Sequence, residues 1–148
     1  AGFQNCAEFI TAVIGIRAAR RAGVDVRRIT LRGDSKSALS WAKGHFRGTQ
    51  VRAAGCVYVF QAVAYGVEWV RTEFLAGVVN VRADKISRGS SWGEMQAQFP
   101  ELRGMPFWAG EGDVGARQLV ELCDPRYVVS SDEDMADRWH RTLRLLRE

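Results

Sequence analysis

The sequence lacks the features that several common protein classes need. It contains only three cysteines, which are widely spaced and form no Cys-x-x-Cys pair. This usage argues against a disulfide framework and a zinc site, and it is typical of a reducing, intracellular compartment, the cytoplasm or the nucleus. No apolar run approaches membrane-spanning length, and the first residues lack the charged and then apolar layout of a signal peptide. We therefore expect no membrane partner.

Several catalytic signatures are also missing. The two histidines, His45 and His140, belong to no Ser-His-Asp or Cys-His arrangement. Neither a P-loop nor a Gly-x-Gly-x-x-Gly turn after a strand is present. These absences count against nucleophilic hydrolases of the common types and against the usual nucleotide-binding loops.

The composition that remains is that of a folded, basic protein. A length of 148 residues suits one domain with a modest core. An apolar fraction of 47% and five tryptophans argue against disorder. The net charge of +4 and the pI of about 9.3 are compatible with a polyanionic partner but do not require one.

The first predicted element is a helix over residues 5–22, with an apolar face at helical spacing. Asn5 is its predicted N-cap, Glu8 falls in its first turn, and Gly23 is predicted to end it. Glu8 has two possible roles. It could complete a capping box with the helix start, or it could be a functional carboxylate.

A strand is predicted over residues 26–32, followed by Gly33, Asp34 and Ser35. Either Asp34 or Ser35 is expected to cap a short helix over residues 36–43. Asp34 is also a candidate site residue, because open α/β sheets place their sites beyond the carboxyl ends of strands.

The next predicted elements are a helix over residues 52–65 and a strand that begins at Val67. In that strand, Val67 and Trp69 alternate with Glu68 and Val70. A loop at residues 76–77 leads to a helix that opens at Asn80. Asp84 lies near the first turn of this helix, where it either serves the helix end or carries chemistry.

The segment that ends at Arg88 resembles the last catalytic segment of ribonuclease H domains in retroelement reverse transcriptase polyproteins. The family pattern G-x-x-N-x-x-A-D-x-[LI]-S-R is matched here by Gly77, Asn80, Ala83, Asp84, Ile86, Ser87 and Arg88. Glu8 and Asp34 precede it in the order and local context of that family. The resemblance implies a ribonuclease H-like α/β fold over residues 1–89, with the order helix, strand, helix, helix, strand, helix.

The same resemblance implies a chemistry and a substrate. Glu8, Asp34 and Asp84 would be the catalytic residues and the ligands of two Mg²⁺ or Mn²⁺ ions. Such a site hydrolyses the RNA strand of RNA–DNA hybrids. The polar side chains expected to contact the hybrid are Ser35, Lys36, Lys43, Arg47, Arg52, Asn80 and Arg88. The basic residues among them could instead be ordinary solvated surface, and Asn80 could instead contact its own helix end.

The chain departs from the family in two respects. The family fold begins with three antiparallel strands, the first of which carries a further metal-binding aspartate, whereas this sequence begins just before the glutamate helix. We therefore expect an upstream reverse transcriptase segment or a partner chain to complete the sheet, and we expect no self-sufficient nuclease in residues 1–148. The second departure is that residues 73–79 lack the histidine found in many relatives.

Two other functions remain open. The chain could be a domesticated or decayed ribonuclease H-like module that binds nucleic acid or protein without catalysis. Retention of all three carboxylates favours the enzyme. A proofreading-type exonuclease shares the same superfold, but its usual His-x-x-x-x-Asp ending is absent.

Residues 90–148 are predicted to form a mainly helical extension. Residues 90–93 suggest a linker, residues 95–102 a short helix that ends at Pro100 or Gly104, and residues 115–122 another. A longer helix is predicted over residues 131–148, capped by Ser131. Its apolar stripe consists of Met135, Trp139, Leu143 and Leu146.

Overall fold

A computed structural model describes residues 2–46, 51–77, 79–105, 112–124 and 132–148. The protein has a mixed α/β fold in which helices pack against one face of a small parallel sheet. Its elements, in chain order, are α1 (Gly2–Arg21), β1 (Arg28–Gly33), α2 (Lys36–Ala42), α3 (Arg52–Ala64), β2 (Trp69–Phe74), α4 (Val81–Ser87), α5 (Trp92–Gln98), a 3₁₀ turn (Pro100–Leu102), α6 (Val114–Cys123) and α7 (Asp132–Arg147). The element order from α1 to α4 is the order that the sequence predicts.

The two strands pair in parallel, with Ile29 opposite Val70 and Leu31 opposite Thr72. Parallel pairing requires a crossover, which α2 and α3 provide. Ile29 is buried, and Leu31 and Val70 pack against the same core. One face of the sheet therefore lies on the helices, and the side chains of the other face are exposed.

The core forms where α1 crosses α2 and α3. The ring of Phe9 on α1 meets Trp41, Phe46 and Tyr58 edge-on. Two buried polar contacts fix the helices relative to one another. Gln61 Nε2 on α3 donates to the carbonyl of Val13 at 2.8 Å, and the Tyr58 hydroxyl donates to the carbonyl of Ala42 at 2.7 Å.

The ends of α1 differ in how well the sequence predicts them. The helix begins at Gly2, so Asn5 is not its N-cap, and Glu8 lies in the second turn, not the first. Cys6, which follows Asn5, is fully buried within this helix. At the other end the prediction is confirmed. Gly23 has a φ of 84°, and its N–H bonds to the carbonyl of Arg20 in a Schellman arrangement.

The segment after residue 89 is helical earlier than predicted. Ser91 is not linker but the N-cap of α5, and its Oγ accepts the N–H of Glu94 at 3.1 Å. The predicted helix over residues 95–102 is wrong in its bounds. It divides into α5 and the 3₁₀ turn because Pro100 has no N–H to continue the helix. The predicted short helix at 115–122 is confirmed by α6. Ser131 lies outside the described residues.

Helices α6 and α7 belong to the same core as α1 and α3. Leu119, Leu122, Leu145 and Leu146 are buried in one cluster with Phe9. The division of the chain at residue 89 stays a prediction, but the described part of residues 112–148 shares its hydrophobic core with the preceding elements.

The docking face of α7 is rotated from the predicted stripe. Trp139 is 38% exposed and contacts only the edge of the Phe60 ring among the aromatic pairs described. Leu143 is half-buried, whereas Thr142, Leu145 and Leu146 are buried. The Thr142 hydroxyl can be buried because it donates to the carbonyl of Arg138 at 2.8 Å. The side chain of Met135 is outside the description.

This geometry predicts which α7 side chain stabilises the fold. We expect Leu146→Ala to lower the free energy of unfolding by about 2–5 kcal/mol, because it leaves a cavity in the core. Trp139→Ala should cost clearly less, since that ring already contacts solvent. Urea denaturation followed by circular dichroism measures both. Equal stability of wild type and Leu146→Ala would show that α7 does not dock as described.

Candidate functional site

Asp34 lies at the carboxyl end of β1, and its side chain is exposed. Of the two predicted capping residues, Ser35 is the one that caps α2, with its Oγ accepting the N–H of Ala38 at 3.2 Å. Because Ser35 supplies the cap, the Asp34 carboxylate is not needed to end or start either element. The turn from strand to helix accounts for a polar residue at this position, but it does not require a negative charge there.

The loop after β2 approaches Asp34. Leu75 N–H donates to the carbonyl of Gly33 at 2.8 Å, which extends the pairing one residue past the end of β2. A Cβ placed on Gly77 would lie 3.9 Å from Asp34 Oδ2. The first residue of the family-like pattern, Gly77, therefore stands beside the carboxylate that precedes α2.

Asp84 lies in the first turn of α4, which follows this loop. Its carboxylate pairs with Arg88 one turn later, at 3.1 Å from Arg88 Nε. Both side chains are substantially exposed, so this pair contributes at most about 1 kcal/mol and is easily broken. Asn80 occupies the N-cap position without a side-chain capping bond, so the proposed contact with its own helix end is not found.

Helix α4 is held mainly by the elements that follow it. Arg82 forms an ion pair with Glu101 and its guanidinium lies over the Phe99 ring. Lys85 Nζ donates to Gln98 Oε1 at 2.6 Å. These contacts join α4 to α5 and the 3₁₀ turn.

Glu8 is half-buried in the second turn of α1. Its neighbour Phe9 packs against Trp41, so this turn is the part of α1 that lies on α2. Among the described side chains, no three or more His, Cys, Asp or Glu residues are grouped so that they could hold a metal ion. Glu8, Asp34 and Asp84 thus do not form a three-ligand metal site in this arrangement.

The predicted hybrid-binding residues have varied surroundings. Lys36 and Lys43 flank α2 and are exposed, with Lys36 Nζ 5.2 Å from the centre of the Phe74 ring. Arg52 lines a groove of about 600 Å³ together with Phe46, Val59 and Trp139, so its neighbours there are largely apolar. Arg47 lies outside the described residues.

One group of exposed residues, three arginines and a tryptophan, was not predicted as a site. Arg28 and Arg32 of β1 and Trp69 and Arg71 of β2 are all exposed on the uncovered face of the sheet. β1 carries a sequence signal for this face, because its arginines alternate with Ile29 and Leu31. β2 alternates less regularly, since Trp69 and Val70 are both apolar. Alternation alone also does not say which face of a sheet is covered.

No protein family, curated protein or solved structure matches this chain. In the part of the chain that the structure describes, no helix is both long and apolar enough to cross a membrane.

Proposed function

We propose that this chain is the carboxyl-terminal part of a ribonuclease H-type endonuclease. It would hydrolyse the RNA strand of RNA–DNA hybrids within a retroelement reverse transcriptase polyprotein. The observation that carries the proposal is the position of Asp34. Its exposed carboxylate ends β1, has no capping role, and lies beside the Gly77 loop that leads to Asp84.

The three carboxylates of this chain meet the requirements of Mg²⁺ or Mn²⁺ only in part. These ions prefer a few carboxylates together with water and substrate phosphate. Glu8, Asp34 and Asp84 supply the right chemistry, but the described side chains include no three-ligand group. The fit of a metal pair to these residues is therefore incomplete.

We propose that a further segment completes the site. Within the described residues, β1 pairs with β2 along one edge only. An open edge accepts another strand by main-chain hydrogen bonding. A strand added there would end near Asp34 and could bring a further carboxylate. An upstream segment of the polyprotein or a partner chain would supply it.

The chain's own residues would then position the hybrid. Helix α2 begins two residues after Asp34, and Lys36 and Lys43 are exposed at its opposite ends, where they can contact phosphate. Arg88 would exchange its weak contact with Asp84 for a phosphate, which also frees the carboxylate. Asn80, with no bond to its helix end, is available to a ribose hydroxyl of the RNA strand.

The test uses the full-length product of the gene that encodes residues 1–148. We expect it to cleave an RNA–DNA hybrid in Mg²⁺ when the label is on the RNA strand, and to leave the DNA strand intact. Chelation should stop the reaction. A DNA duplex of the same sequence is the control. Cleavage of both duplexes alike, or cleavage in excess chelator, would contradict the proposal.

The alternative is a non-catalytic module that binds nucleic acid or protein, and the missing three-ligand group in the described residues favours it. This alternative predicts that the full-length protein binds the hybrid with no cleavage at any Mg²⁺ or Mn²⁺ concentration. A gel-shift assay run on the cleavage reactions separates the two outcomes in a single experiment.

A further inference from the structure

The uncovered face of the sheet combines positive charge with an exposed aromatic ring. The strand register places Arg28 opposite Trp69, Thr30 opposite Arg71 and Arg32 opposite Glu73. Every one of these side chains except Glu73 is exposed, and Trp69 is 46% exposed. Parallel sheets normally have both faces covered, so an open face of this composition needs an explanation.

The charges on this face are unbalanced and held in place. The strands carry three guanidinium groups and one carboxylate, Glu73, on this face. Glu73 Oε2 lies 2.7 Å from Arg32 Nε, and its Oε1 lies 3.6 Å from Arg71 Nε. One carboxylate thus holds an arginine of each strand, and the outer guanidinium nitrogens remain available. Arg28 Nε lies 3.5 Å from Glu68 Oε2, just before β2, so two carboxylates face the three guanidinium groups.

We propose that this face binds single-stranded nucleic acid. A base would stack on Trp69, and the flanking phosphates would contact Arg28, Arg32 and Arg71. Neighbouring strands are about 4.8 Å apart and alternate residues along a strand about 6.6 Å apart, so these groups form one compact platform. Aromatic stacking beside a basic groove is how proteins bind single strands without reading their sequence.

The chemistry favours a single strand over a duplex. In a duplex the faces of the bases are stacked on one another and cannot reach Trp69, whereas a single strand exposes them. The inference goes beyond the proposed nuclease function, because binding at this face requires neither Asp34 nor Asp84. Failure of hybrid cleavage would leave it intact.

The experiment uses fluorescence anisotropy to measure how tightly residues 1–148 bind a labelled 20-nucleotide oligothymidylate. A DNA duplex of equal length is then added as a competitor. We expect Trp69→Ala to weaken binding about five- to a hundredfold, and Trp69→Phe to retain most of it. Arg71→Ala should weaken binding and reduce the slope of log affinity against log salt by about 0.7. Arg117→Ala removes an exposed arginine of α6 and should change neither the affinity nor the contribution of Trp69.

Wild-type affinity in both Trp69→Ala and Arg71→Ala would overturn the inference. So would a duplex that competes as well as the single strand, because the stacking contribution would then be absent. A third contrary result is self-association of the chain that Trp69→Ala abolishes, with no affinity for the oligonucleotide. In that case the face binds another copy of the chain. Circular dichroism of each variant verifies that the fold is retained.

Discussion

We expect Asp34→Asn to reduce RNA-strand cleavage by the full-length protein at least about a hundredfold, and Asp84→Asn to have a similar effect. An amide has the size of the carboxylate but not its negative charge. It would therefore be a poor ligand for a hard divalent cation, so the proposed site would hold Mg²⁺ more weakly. Single-turnover cleavage of a labelled hybrid measures both losses.

Neither substitution should unfold the protein. Asp34 is exposed and has no capping role, because Ser35 supplies the cap of α2. Asp84 loses only an exposed pair with Arg88, which contributes at most about 1 kcal/mol. Asp137→Asn, at an exposed position on α7, is the matched control and should keep full activity. Full activity in both site variants would refute the assignment.

The second large effect concerns stability and comes from a buried arginine. Arg17 on α1 is 1% exposed, and its Nε lies 3.3 Å from Asp113 Oδ2 at the start of α6. Its Nη1 donates to the carbonyl of Leu145 on α7 at 2.6 Å. The guanidinium also lies so close to Gly115 that a Cβ there would be 3.0 Å from Arg17 Cζ. A single side chain thus connects three helices.

The contact with Arg17 affects the pKa of the Asp113 carboxyl group. Partial burial raises the pKa of Asp113, but the hydrogen bonds and charge of Arg17, together with the nearby backbone N–H of Ala116, outweigh that effect, so the pKa lies below its ordinary value. The charged carboxylate is therefore the form that the fold stabilises. Removing Arg17 would leave that carboxylate without its main cation.

We expect Arg17→Met to lower the free energy of unfolding by about 3–5 kcal/mol, the usual consequence of breaking a buried ion pair by removing one partner. Guanidinium denaturation measures the change. Arg27→Met is the control, because Arg27 pairs with Asp25 at 2.8 Å with both side chains mostly exposed. That change should cost at most about 1 kcal/mol. Similar losses in the two variants would contradict the structural role of Arg17.

Features set by local chemistry could be predicted from the sequence. The Schellman end of α1 requires only a glycine in the left-handed region, which Gly23 provides. The start of α2 requires only a serine followed by helix formers. The strand at Trp69 and the helix after Asn80 likewise follow from β-forming residues and a turn signal within a few positions of one another.

Features set by tertiary packing could not be predicted. The pairing of Arg17 with Asp113 joins residues 96 positions apart, and no pattern in the sequence links them. The start of α1 at Gly2 is a second example, because Asn5 offers a local capping signal that the helix does not use. The apolar stripe of α7 is a third, since the helix buries Leu145 and Leu146 and leaves Trp139 partly exposed.

In the candidate site, too, local features could be predicted from the sequence and features set by tertiary packing could not. The sequence indicated three carboxylates and their order, and local structure accounts for the positions of Asp34 and Asp84. How close the three carboxylates come to one another depends on the packing of α1, β1 and α4. In the described residues they form no group able to hold a metal. Order along the chain carries no information about that distance.

We propose that residues 1–148 contain part of a ribonuclease H-type site, which a further strand and carboxylate would complete. The most direct test compares Mg²⁺-dependent cleavage of one labelled RNA–DNA hybrid by residues 1–148 and by the full-length gene product, at equal concentrations. We predict negligible cleavage by residues 1–148 and rapid RNA-strand cleavage by the full-length protein, lost on Asp34→Asn. Equal metal-dependent rates from the two proteins would contradict the claim.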